Sequence, residues 1–65
     1  MKTKKLTALL QLDRNGNHCK QMFSATATGK SNDDAEDKCW REVKRAVVEQ
    51  GASSFTVRAF SWERL

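Results

Sequence analysis

Two alternating runs separated by Asn15-Gly16 limit this chain more than any other feature. From Lys5 to Asp13, Leu6, Ala8, Leu10 and Leu12 fall on one side, while Lys5, Thr7, Leu9, Gln11 and Asp13 fall on the other. A period of two is the mark of a strand with one buried face. Arg14-Asn15-Gly16-Asn17 follows, and Asn-Gly supplies the positive φ angles of a two-residue type I′ hairpin turn. A second strand from His18 to about Thr28 is therefore expected to fold back on the first.

That turn fixes a register: Leu12 opposite Cys19, Leu10 opposite Gln21, Ala8 opposite Phe23 and Leu6 opposite Ala25. One face of the pair is then apolar except at Gln21. The other pairs Asp13 with His18, Gln11 with Lys20, Leu9 with Met22, Thr7 with Ser24 and Lys5 with Thr26.

Gly29-Lys30-Ser31-Asn32-Asp33-Asp34 predicts a helix start, with Ser31 or Asn32 as the N-cap and acids in the first turn. Ala35, Cys39, Val43, Ala46, Val47 and Gln50 recur at spacings of three and four, and Gly51 is expected to close the helix. Asp34 with Lys38, Asp37 with Arg41 and Arg45 with Glu49 form pairs on its solvent side. Ser53 to Trp62 alternates again, which predicts a third strand with Phe55, Val57 and Ala59 on one side and Thr56, Arg58, Phe60 and Trp62 on the other.

These elements give an α+β fold, a two-layer ββαβ with sheet order 2-1-3 and one helix over one face. A right-handed crossover sets strand three parallel to strand two. The helix is expected to cover Leu6, Leu10, Leu12, Phe23, Phe55 and Val57. The opposite face, bare within this chain, then gathers Leu9, Met22, Phe60 and Trp62 with Lys5, Lys20 and Arg58.

At 65 residues the chain makes a single domain, residues 1–65, with a thin core and a flexible basic start at residues 1–4. The net charge of +4 is polarised: +5 over residues 1–30, −3 over residues 31–42 and +2 over residues 43–65. The apolar stretch after Met1 is short and interrupted by Gln11 and Asp13, so neither a signal peptide nor a bilayer span is expected, and the chain reads as cytoplasmic. In that compartment Cys19 and Cys39 are expected as free thiols.

Catalytic chemistry is poorly provided for. The single histidine, His18, lies at a hairpin end, and the carboxylates cluster at a helix start, so no triad or acid/base pair assembles. His18 and Cys19 point to opposite faces of one strand, which opposes a metal site with Cys39. No enzyme activity, cofactor, metal or small-molecule substrate is expected.

Ala27-Thr28-Gly29-Lys30-Ser31 followed by a helix resembles the closing strand and helix of a double-stranded RNA-binding domain, where a Gly-Lys-Ser turn grips phosphate. The likeness covers Phe23 to Val48. It lacks that family's preceding helix, and Asn32, Asp33 and Asp34 stand where its further lysines would be, so it amounts to shared turn chemistry.

Two functions from different classes remain. One is a protein-binding module, an inhibitor, adaptor or small regulator of the phage-encoded kind, working as a homodimer or on a protein partner through Leu9, Met22, Phe60 and Trp62. Within it, Asp33, Asp34, Glu36 and Asp37 form an acidic contact. The other is a nucleic-acid binder in which Phe60 and Trp62 stack with bases while Lys5, Lys20 and Arg58 hold phosphates.

Overall fold

The computed structural model describes all 65 residues. Strand β1 runs Lys2–Arg14, β2 Asn17–Gly29, helix α1 Asn32–Glu49 and β3 Ser54–Arg64. The sheet order is β2-β1-β3, and β1 is antiparallel to both neighbours. The two-layer ββαβ architecture expected from the sequence is the one observed.

Asn15 at φ 48° and Gly16 at φ 81° make the turn. Every expected pair of the hairpin is present, from Asp13 opposite His18 to Lys5 opposite Thr26. The pairing continues through Lys4 opposite Ala27, Thr3 opposite Thr28 and Lys2 opposite Gly29. Residues 2–4, expected to be flexible, are thus part of β1. Lys4 is buried, with its ammonium on Glu36 and 5.1 Å from the centre of the Trp62 ring. A strand partner, a carboxylate and an aromatic face together hold what a charge count alone assigns to solvent.

Ser31 is the N-cap, extended at φ −141° and ψ 173°, and its Oγ accepts from the Asp34 N–H at 3.2 Å. Gly29 packs so tightly beneath this turn that a Cβ there would stand 2.6 Å from the Ala35 nitrogen. At the other end Gly51 takes φ 79°, with Ala52 N–H donating to the Val47 carbonyl at 3.3 Å and Gly51 N–H to Val48 at 2.9 Å. This paired closure is a Schellman cap.

The core is one cluster: Leu6, Ala8, Leu10 and Leu12 from β1, Phe23 from β2, and Cys39, Val43 and Val47 from α1. The central strand supplies half of it because it alone has a neighbour on each side. Coverage of β2 begins at Phe23. Gln21 is half-buried, which suits its amide, and Cys19, expected to face the core, is exposed.

The third strand departs from simple alternation. Phe55 lies opposite Leu12 and Val57 opposite Leu10, but Ala59 lies opposite Leu9, leaving Arg58 as the extra residue of a β-bulge. Beyond the bulge Phe60 pairs with Ala8 and Trp62 with Leu6. These aromatic residues therefore lie on the helix side, and Ala59, Ser61 and Glu63 take the open face that the sequence pattern gave to Phe60 and Trp62.

Candidate interaction surfaces

The bulge divides the expected interface. Leu9 and Met22 are on the open face, Met22 with more than half its surface exposed, in a shallow hollow with Thr7, Ala59 and Ser61 that Phe60 also borders. Phe60 and Trp62 are on the other side of the sheet, edge-on to Trp40 with ring centres 5.7 and 6.4 Å away. Trp40 was not singled out from the sequence, although it follows Cys39 in the apolar pattern and lies at the border of that stripe. Trp62 packs against the core, while Phe60 keeps 56% of its surface exposed.

All five aromatic rings of the chain, Phe23, Trp40, Phe55, Phe60 and Trp62, thus belong to the helix side. The open face retains Lys5 and Lys20 but no ring on which a base stacks. Lys5 stands across from Glu63, and Lys20 across from Gln11. Arg58, exposed at the bulge, has no cross-strand partner on β1.

The acidic cluster at the helix start is largely occupied. Glu36 holds Lys4, Asp37 pairs with Arg41 at 2.8 Å, and Asp34 accepts the Lys30 backbone N–H at 2.9 Å. That backbone bond, with Lys38 nearby, holds the Asp34 carboxyl below its ordinary range. Asp33 remains exposed in the first turn, where the helix dipole favours it. In the Gly29-Lys30-Ser31 turn, the chain's own Asp34 and Ser31 use the amide groups that a phosphate would need.

His18, Cys19 and Cys39 are not brought together. His18 is at the hairpin end on Asp13, Cys19 is exposed, and Cys39 is sealed under the sheet with its Sγ 3.5 Å from the Lys4 carbonyl. Burial pushes the Cys39 thiol up.

Two edges of the sheet carry unpaired backbone groups, and they differ in chemistry. In an antiparallel sheet alternate residues point their N–H and C=O to opposite sides. The two-residue turn directs even-numbered residues of β1 toward β2 and odd-numbered ones toward β3. Consistent with this, Thr3 and Asp13 carbonyls accept from Leu65 and Ser53 on the β3 side.

It follows that Ser24, Thr26 and Thr28 on β2, and Phe55, Val57, Phe60, Trp62 and Arg64 on β3, direct their backbone groups outward. Helix α1 rests on β2 and β1 and leaves β3 outboard. The β3 edge is flanked on the helix side by partly exposed Val57 and Phe60, and Val48 on α1 is also largely exposed. The β2 edge is flanked by Lys38, Arg41 and Arg45.

No helix is long and apolar enough to cross a membrane. Comparison with family models, with curated proteins and with solved structures finds no match for this chain.

Proposed function

We propose that this chain is a non-enzymatic protein-binding module that works as a homodimer, and that its self-association surface is the β3 edge rather than the open face. The observation that carries this reading is an unpaired strand of 11 residues whose outward-directed residues are Phe55, Val57, Phe60 and Trp62, followed by Arg64 at its end. Edge strands of monomers are ordinarily blunted by lysine or proline at such positions. Here the Arg58 bulge and the terminal Arg64 are the edge's only such features, and Val57 and Phe60 between and beside them are apolar and partly exposed.

A second β3 laid antiparallel about Ser61 sets Phe60 of each copy opposite Trp62 of the other. Hydrogen-bond phase and side-chain face are satisfied at the two Phe60–Trp62 pairs, where both residues point their backbone groups outward and their rings to the helix side. Beyond them Arg64 meets the bulge residue Arg58 of the other copy, and the ladder ends there. Two free thiols suit a reducing compartment, which supports cytoplasmic residence.

The test is light scattering behind a sizing column, on the parent and on a Val57→Lys, Phe60→Lys double variant. Both positions are exposed enough to accept lysine without loss of the core. The expected result is a dimeric parent and a folded monomeric variant with an unchanged circular dichroism spectrum. A parent that stays monomeric into the millimolar range would sink the reading.

A further inference from the structure

The largest concavity of the molecule, about 580 Å³, lies between α1 and the free edge of β2. We propose that this groove receives an extended acidic strand of a partner protein, which adds to β2 and sets its carboxylates against the cations of α1. The surface is distinct from the β3 edge, so either can fail while the other stands.

The floor of the groove is small: Ala25 and Ala27 from β2 and Ala46 from α1 leave room for the side chains of an added strand. Lys38, Arg41 and Arg45 line its wall, against one carboxylate, Glu42. These cations are held by surface pairs, Lys38 to Asp34 at 3.4 Å, Arg41 to Asp37 at 2.8 Å and Arg45 to Glu42 at 3.3 Å, and Lys38 also by the Thr28 carbonyl. Such pairs contribute about 0.2–1 kcal/mol each, so exchange for an incoming carboxylate costs little.

Spacing also fits. Along the helix axis Lys38 to Arg41 is about 4.5 Å and Arg41 to Arg45 about 6 Å. Alternate side chains of a strand are about 6.7 Å apart, so three of them outspan the row by about 3 Å, a difference that the long side chains of Lys38, Arg41 and Arg45 take up.

The backbone edge separates a peptide from other polyanions. Ser24, Thr26 and Thr28 offer N–H and C=O groups in alternation, and only another peptide strand answers both kinds in turn. Lys38 already donates to the Thr28 carbonyl at 3.2 Å, filling part of the demand that a strand would fill. A nucleic acid would use the cations, and its phosphate oxygens, which accept but do not donate, would leave the Ser24 and Thr26 carbonyls unanswered.

The experiment uses the full chain with a labelled Thr-Glu repeat peptide of about ten residues, a length typical of strands. A Thr-Lys repeat of equal length and a single-stranded oligothymidine serve as the other probes. Anisotropy reports binding, and hydrogen exchange reports protection of the Ser24, Thr26 and Thr28 amides.

The Thr-Glu peptide is expected to bind and to slow exchange at those three amides. An Arg41→Glu, Arg45→Glu variant should lose about tenfold or more in affinity and gain binding of the Thr-Lys peptide. Failure of the Thr-Glu peptide to bind, or binding without amide protection, overturns the proposal. Equal binding of oligothymidine with the same loss in the variant would identify a general anion surface and overturn it as well.

Discussion

Asp13 ties the end of β1 to two other parts of the chain. Its carbonyl accepts from the Ser53 N–H at 2.9 Å and the Ser53 hydroxyl at 3.1 Å. Its carboxylate accepts from the Ser54 hydroxyl at 2.8 Å and pairs with His18. The Ser54 bond first, and His18 second, hold this carboxyl below its ordinary range. A depressed folded-state value means that the unfolded chain binds the proton more readily. The stabilisation is therefore present above the ordinary carboxylate value of about 4 and is lost as pH falls through the lower folded value.

Urea midpoints should decline from about pH 4 toward pH 2, and Asp13→Asn should flatten that decline; equal slopes in parent and variant would refute the assignment. The His18 partner was legible from the hairpin register, since the two residues face each other across the turn. Ser54 was not, because nothing local connects residues 41 apart. Lys4 was hidden for a similar reason: a lysine in a basic run reads as solvated unless Glu36 and Trp62 are known to surround it.

At the scale of elements, the hairpin was fully legible because turn chemistry and alternation are independent signals that agree. The helix ends were legible too, from Ser31 and Gly51. The faces of β3 were not. The apolar residues change phase between Ala59 and Phe60, from Phe55, Val57 and Ala59 to Phe60 and Trp62, which is the one mark of the bulge in the sequence. No glycine accompanies it, and pairing with β1 shows that Arg58 is the extra residue. Deleting Arg58 should leave Val57, Ala59 and Phe60 on their present faces and make β3 regular. We expect that deletion to keep the fold, with a thermal midpoint close to the parent. Deleting Leu9, where β1 has no spare residue, should abolish it, because two of the four core residues of β1 would change face. A Leu9 deletion as stable as the Arg58 deletion would contradict the bulge.

For the molecule as a whole, β3 is the least covered element. The helix shelters β1 and β2, and eight side chains form the buried cluster. A chain of this size is marginal alone. If β3 edges pair, association contributes to stability through mass action, and the thermal midpoint should rise with protein concentration. The Val57→Lys, Phe60→Lys variant should melt lower and at one temperature whatever its concentration. A parent midpoint indifferent to dilution would argue against a dimer coupled to folding.

That an apolar surface would remain uncovered was evident from the sequence, which has more amphipathic sheet than one helix can cover. Its location was not, because one inserted residue moved both aromatics to the other side.

The Leu65 amide bonded to the Thr3 carbonyl places the two ends of the chain side by side on adjacent antiparallel strands. A force drawing those ends apart would therefore peel β3 from β1 one rung at a time and never shear the whole ladder at once. Mechanically the domain is a zipper held at its pull tab, weak along that axis whatever its resistance to heat.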